Sequence, residues 1–361
     1  DGPLLAKALF PAFEAARGRP TVPLLRYLQT TERWSIEALH DLQLGLLRRL
    51  LRHAYQHTAY FREVLDERGL RPEDSESPAD LHRLPLLDRA TVRATMDSRL
   101  SGAGPAPTIN KSTSGTTGEP VVVRYNAESR HWRDATRWRG YGWGGYRIGM
   151  RAFHYWGFGP PNPSWLKRQK SALDHRVKRD LYVDCTPRGE EAMTVAVREL
   201  VRFRPQVMVA YAAGAAALAK FINEQGLREW DEIPVLVGAE RLWPKDREQI
   251  ERAFGPAFET YGCREVMLMA SECEHHSGMH TSMETMVVEV IVRNPDGTTR
   301  AAKPVEIFVG VGSDRHNLAC PMIRYVNGDL AVAHAEGQCS CGRGLTKIGP
   351  IEGRTTETLR D

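Results

Sequence analysis

Between residues 152 and 255 the chain alternates between short apolar runs and longer amphipathic ones. "AFHYWGF" (152–158), "QVMVAY" (206–211) and "IPVLVGAE" (233–240) are near-continuous in apolar residues, as strands buried on both faces are. Interleaved with them are "EEAMTVAVRELVRF" (190–203), "GAAALAKFINEQG" (214–226) and "PKDREQIERAFG" (244–255), which read as helices, the last with Pro in its first turn. Alternation of this kind leaves few folds open. The expected class is α/β, in layers around a mostly parallel sheet.

The flanks differ from the middle. Residues 33–66 read as one helix, with Leu39, Leu42, Leu46 and Leu50 on one face. From about residue 283, "MVVEVIV", "PVEIFVGV" and "MIRYVNGDLAVAH" are strands separated by turns such as "NPDG", with no helix between them. That pattern implies an antiparallel or barrel-like subdomain. The expected division is a helical N-terminal segment over 1–100, an α/β core over 101–282, a β-rich subdomain over 283–354 and a hinge over 355–361.

With 361 residues, 42% apolar and 26% charged, the chain can bury a sizeable core. A net charge of +4 over this length calls for neither a nucleic-acid nor a membrane partner. No apolar run approaches the roughly 20 residues a bilayer span needs. The opening "DGPLLAKALFPAFEAARG" lacks the regions of a secretory leader. Six cysteines in so long a chain suggest a reducing compartment with metal binding or free thiols, hence a cytoplasmic protein.

"KSTSGTTGEP" (111–120) is too polar for a core and too poor in side chains to pack. It reads either as a flexible linker or as a phosphate cradle. Glycines let backbone N–H groups converge on one point, and the hydroxyls add donors. No G-K-[ST] closes it, so it is not the Walker pattern.

Three further stretches follow in order: "YGCREVM" (261–267), "PMIRYVNGDL" (321–330) and "IEGR" (351–354). Together with the Ser/Thr/Gly run they resemble the adenylate-forming superfamily of acyl-CoA synthetases, adenylation domains and luciferases. "LRRLLRHAYQHTAYFREVLDERGL", "LPLLDRATVR", "VGAERLWPKDREQIERAFG" and "YGCREVMLMASECEHHSGMH" narrow the resemblance to the phenylacetate–CoA ligase and capsular-biosynthesis branch, over roughly residues 40 to 358.

The resemblance implies the large N-terminal domain of that fold, with the small C-terminal lid domain expected to lie beyond this chain. It assigns ATP phosphates to Ser114, Gly115, Thr116, Thr117 and Gly118, with Thr116 and Thr117 counted as catalytic. Gly238, Ala239 and Glu240 would line the adenine pocket, and Tyr261 would stack on adenine. Glu265 would be the catalytic carboxylate that holds Mg²⁺, a hard-oxygen ligand for a hard cation. Arg264 stands where the family has Thr or Ser, and Glu119-Pro120 where it often has Lys. Asp329 would accept both ribose hydroxyls, although "NGD" would also suit a plain β-turn. Arg354 would contact the ribose. By position Tyr155, Trp156, Phe158, Tyr211 and Gly214 would line the acyl pocket, where the alternative is ordinary core.

Cys273, His275, His276 and His280 crowd into "CEHHSGMH", and Cys339 and Cys341 form "CSCGR". Thiolates and imidazoles are what zinc prefers. The branch carries a similar pattern, read as a structural zinc site, which implies Cys273, His280, Cys339 and Cys341 as ligands. Buried thiols with surface histidines are the alternative. "SRHWRDATRWRGYGWGGYRIGMR" (129–151) mixes six Arg with Trp and Tyr; Arg130, Arg133 and Arg137 beside Asp134 read as a solvated helix face.

The implied activity is ATP-dependent conversion of a carboxylic acid, aryl or hydrophobic, to acyl-AMP, followed by transfer to CoA or a carrier-protein thiol. Two alternatives stay open. One is adenylation of a different nucleophile, such as a phenolic cofactor or nitrite in N–N bond formation. The other is a non-catalytic nucleotide-binding protein.

Overall fold

A computed structural model describes residues 2–103, 109–112, 121–157, 165–294, 298–304, 306–334, 337 and 339–354. The strands run, in chain order, β1 (Ile109–Ser112), β2 (Val122–Tyr125), β3 (Ala152–Trp156), β4 (Asp180–Asp184), β5 (Val207–Tyr211), β6 (Val235–Gly238), β7 (Ala257–Cys263), β8 (Met267–Glu272), β9 (Met279–Thr281), β10 (Met286–Arg293), β11 (Thr299–Ala301), β12 (Ile307–Asp314), β13 (Met322–Ala333) and β14 (Lys347–Arg354). The chain divides into two compact units, one of residues 1–22, 138–261 and 271–276, the other of 23–137, 262–270 and 277–361.

The first unit holds the expected parallel sheet. Its strands pair in the order β4-β3-β5-β6-β7, all parallel. β5 is buried at four of five positions and β6 at all four, which explains their unbroken apolar sequences. Helices Glu190–Phe203, Ala212–Gln225 and Pro244–Ala253 cover the sheet. Phe153, Met208, Ala210, Leu218, Ile222, Val235, Val237, Ile250 and Phe254 form the core between them. Strand β4 was not expected from the sequence. It is a half-buried strand with Asp at both ends, so it lacks an apolar signal.

The second unit is antiparallel, ordered β11-β10-β12-β13-β14-β9, beside a separate β1–β2 hairpin. The single helix expected over 33–66 is two, Ile36–His57 and Ala59–Glu67. Thr58 causes the break. Its hydroxyl donates to Ala54 O at 2.8 Å while accepting from Phe61 N–H, so one extended residue closes the first helix and caps the second. The buried stripe is also rotated from the expected face. It runs Leu39, Gln43, Leu47, Leu50, Ala54, and Leu42 and Leu46 lie at its margin. Gln43 is tolerated there because its amide donates to Met286 O at 2.9 Å. Leu47, Leu50 and Leu51 pack with Phe61, Leu65, Val287 and Ile323 in the core of this unit.

Candidate active site

In the first unit the residues expected to meet adenine and the acyl group fall on neighbouring strand ends. Trp156 ends β3, Tyr211 ends β5, Gly238 ends β6, and Tyr261 lies near the end of β7. Parallel pairing sets Tyr155 opposite Ala210 and Tyr211 opposite Gly238. Carboxyl ends of parallel strands are where open α/β sheets bind ligands. The Trp156 and Tyr211 rings lie 4.2 Å apart, tilted by 30°.

Gly238 has a physical reason. A Cβ there would stand 2.7 Å from Thr260 Oγ1 and 3.1 Å from Thr260 O. Ala239 follows in the left-handed region at φ 69°, uncommon for a residue with a Cβ. The chain turns there, and Glu240 Oε2 accepts from Ala213 N–H at 3.0 Å, a carboxylate at a helix N-terminus. Gly214, in that helix's first turn, is also tight: a Cβ would come within 3.1 Å of Cys185 Cβ.

Tyr155 and Trp156 point to opposite faces of the sheet, as strand neighbours must. Tyr155 is buried in the core, and its hydroxyl donates weakly to Met193 Sδ at 3.7 Å. Burial first, and the neighbouring Cys185 second, push the Tyr155 hydroxyl up to about 12. Phe158 and Ser114, Gly115, Thr116, Thr117 and Gly118 lie outside the described residues. Among the described residues that flank the Ser/Thr/Gly segment, Ser112 of β1 pairs with Val122 of β2.

In the second unit the expected charged residues form a buried polar cluster. Glu265 is 2% exposed. Its Oε1 accepts from Tyr325 Oη at 2.8 Å, and Arg89 Nη2 stands 3.8 Å away. Burial, then the Glu265 charge, push the Tyr325 hydroxyl well above the usual phenol range. Asp329 lies four residues further along the same strand, beyond a register shift between Val326 and Leu330 where Gly328 takes φ 83°. "NGD" is therefore part of β13 rather than a free turn, although Asn327 Oδ1 still accepts from Asp329 N–H at 3.0 Å. Asp329 sits opposite Arg354 of β14 and accepts from its Nε at 2.9 Å; Asn327 Nδ2 donates to the other oxygen at 2.8 Å.

Arg133 corrects an expectation. Arg130 and Arg137 do flank Asp134 on a solvated face, at 3.8 and 3.6 Å. Arg133 instead turns inward to the buried Asp314 at 3.0 Å and to the carbonyls of Arg264 and Glu265. Arg264 itself donates to Ser112 O at 2.8 Å. Tyr325 was missed by sequence reasoning, although it lies in the same "RYVNGDL" stretch as Asp329. Arg133 and Asp314 were missed as a pair: they are 181 positions apart.

Three of the expected metal ligands gather in the second unit. The ligand atoms of His280, Cys339 and Cys341 lie within 4.8 Å of one another. His280 Nε2 is 3.3 Å from Cys341 Sγ, and Nδ1 is 3.2 Å from Leu345 O. A carbonyl can only accept, so Nδ1 carries the proton and Nε2 keeps its lone pair, the arrangement a metal-binding imidazole needs. Ser277 Oγ lies 3.4 Å from Cys339 Sγ. Cys273 is buried one residue after β8, seven positions before His280 in sequence.

No protein-family model matches the chain. It is 28% identical over 332 residues to the phenylacetate–coenzyme A ligase of Thermus thermophilus, covering 90% of this chain and 72% of that one. The chain is thus similar to phenylacetate–coenzyme A ligases along most of its length. The Escherichia coli phenylacetate–coenzyme A ligase is 26% identical over 346 residues, with 92% and 75% covered. Among solved structures, 2-hydroxyisobutyryl-CoA ligase in its postadenylation state, in complex with R3-HIB-AMP, matches with a TM-score of 0.70 at 18% identity, over 88% of this chain and 68% of that one. The fold is that of the adenylate-forming enzymes. Among the described residues, no helix is long and apolar enough to cross a membrane.

Proposed function

We propose that this chain belongs to an enzyme that activates a carboxylic acid with ATP and passes the acyl group to CoA. The observation that carries the reading is the placement of Trp156, Tyr211, Gly238 and Tyr261 on consecutive carboxyl ends of one parallel sheet. Adenine would lie on Tyr261 beside Gly238, Ala239 and Glu240, and the ribose hydroxyls on Asp329, which Arg354 and Asn327 orient. Ser114, Gly115, Thr116, Thr117 and Gly118 would hold the phosphates. The Trp156–Tyr211 pair and Gly214 would contact the acid, with Tyr155 behind them in the core; aromatic walls suit an aryl or hydrophobic acid.

A carboxylate oxygen of the acid attacks the α-phosphorus of ATP, and the bond to the bridging oxygen breaks to release pyrophosphate. The CoA sulfur, as thiolate, then attacks the acyl carbon and AMP leaves. Splitting the condensation lets each step proceed through a good leaving group. Magnesium held by Glu265 would offset the charge of the phosphates, and the fit rests on a carboxylate whose orientation Tyr325 fixes.

The test is acid-dependent pyrophosphate exchange across aryl, aliphatic and amino acids, followed by mass analysis with CoA or an acyl-carrier protein as acceptor. Exchange with an aryl or hydrophobic acid and a CoA thioester product is expected. ATP binding without exchange for any acid would overturn the reading.

We further propose a structural zinc held by Cys273, His280, Cys339 and Cys341. The protonation pattern of His280 supports it. One zinc per chain is expected from metal analysis of untagged protein, and Cys339→Ser should lower the melting temperature, because metal binding to the folded state is folding free energy. Less than about a tenth of an equivalent under reducing, chelator-free conditions would end the proposal.

A further inference from the structure

We propose that Arg133, anchored by Asp314, is a positioning residue for Glu265, the expected ligand of the ATP-bound cation. Asp314 is fully buried on β12. Its Oδ2 accepts from Arg133 Nη2 at 3.0 Å and from Ser129 Oγ at 3.1 Å, and its Oδ1 from His316 N–H at 3.0 Å. A carboxylate so buried and so fully occupied has one orientation, and it gives the guanidinium one as well.

Arg133 Nε donates to Ser129 Oγ at 3.2 Å, and the other guanidinium donors reach main chain. Nη1 donates to Arg264 O at 3.1 Å and Nη2 to Glu265 O at 2.9 Å, while the guanidinium lies 4.3 Å over the Tyr125 ring of β2. Two consecutive carbonyls are thus gripped at the residue whose side chain is the expected metal ligand. The grip continues outward. Arg264, displayed by that same turn, donates to Ser112 O, the last described residue before the Ser/Thr/Gly segment. One buried carboxylate therefore governs the backbone at Arg264 and Glu265, and Arg264 in turn holds Ser112 at the end of β1. This assigns Arg264 a positioning role towards β1. A lysine cannot replace Arg133, since a single ammonium lacks the planar fork that reaches both carbonyls and Asp314.

The inference rests on the reading of Glu265 as the ligand of the ATP-bound cation. The experiment is calorimetric titration of the chain with ATP over a series of Mg²⁺ concentrations, with AMP binding in the absence of Mg²⁺ as reference. Arg133→Lys, Arg133→Met and Asp314→Asn are compared with Glu265→Gln. Residues that orient a metal ligand typically change metal affinity by about 10–100-fold. The half-saturating Mg²⁺ for ATP should therefore rise by about that factor in the Arg133 variants, with AMP affinity unchanged. Merely structural damage would lower the melting temperature and AMP affinity together and leave the Mg²⁺ dependence of the remaining binding as it was; that result overturns the proposal. A shift in Glu265→Gln without one in Arg133→Lys also overturns it while sparing the reading of Glu265. No shift in Glu265→Gln removes both. Should Asp314→Asn fail to fold, Arg133→Lys decides alone.

Discussion

The strand ends of the first unit and the polar cluster of the second are built in different ways. At the strand ends the described contacts are ring against ring and glycine against backbone: Trp156 on Tyr211, Gly238 against Thr260, Gly214 against Cys185. Shape and excluded volume set what fits there. In the second unit Glu265, Asp329 and Asp314 are buried carboxylates, each already held by a named donor. Burying a charge is costly unless it is paired and hydrogen-bonded, so the cluster must be charge-balanced before any ligand arrives. At the strand ends a single substitution changes shape, whereas in the polar cluster it removes one member of a buried, hydrogen-bonded charge pair.

The largest effect should come from the polar cluster. Glu265→Gln keeps the shape but removes the charge, and should lower acid-dependent pyrophosphate exchange by about 10²–10³-fold. Wild-type exchange in this variant would make the two regions equally dispensable and break the contrast. Asp329→Ala should weaken ATP binding next, by about 1.5–3 kcal/mol or roughly 10–150-fold, since it takes away a charge-assisted pair of hydrogen bonds. Calorimetry gives the dissociation constant directly, and an unchanged value removes Asp329 from the ribose site.

In the first unit the effect should be on packing. Gly238→Ala puts a methyl 2.7 Å from Thr260 Oγ1, which is itself engaged with Val237 O at 2.9 Å. Overpacking of that kind costs about 1–3 kcal/mol and should appear as a lower melting temperature. A melting temperature equal to wild type would mean that the strand end yields more easily than its spacing implies.

The smallest expected effect concerns pH. His316, 3.7 Å away, and then Arg49, at 3.1 Å, hold the Glu128 carboxyl down to about 2. A depressed carboxyl stabilises the fold above its unfolded value, and that contribution is lost as pH falls from about 4.5 towards about 2. Glu128 is well exposed, so screening reduces the contribution to about 0.5 kcal/mol. Chemical denaturation of Glu128→Gln should show that small deficit at neutral pH and none near pH 2. A deficit that persists at low pH would assign it to packing instead.

Much of the first unit was legible because parallel strands buried on both faces write themselves as apolar runs, as β5 and β6 do. β4 was not, because its partial burial leaves Asp at both ends. The helix over 33–66 was legible as a helix but not as two, since Thr58 reads as an ordinary helix residue until its hydroxyl is seen to serve both ends. The candidate site divides in the same way. Glu265, Asp329 and Arg354 were marked by local motifs, whereas Tyr325 was not singled out although it lies in the same stretch as Asp329.

What the sequence determined by itself is whatever short-range periodicity and local spacing encode. That includes the alternation that makes a parallel sheet, the strand carrying "RYVNGDL", and the Cys-x-Cys pair near a histidine. Tertiary structure alone decided which charges meet. Arg133 sat on a helix with the spacing of a solvated face, beside Asp134, and nothing within ten residues marks it out. Its partner lies 181 positions away on β12. An ion pair buried in the fold carries no periodic signal, because its energy depends on desolvation and geometry that exist only once both elements are packed.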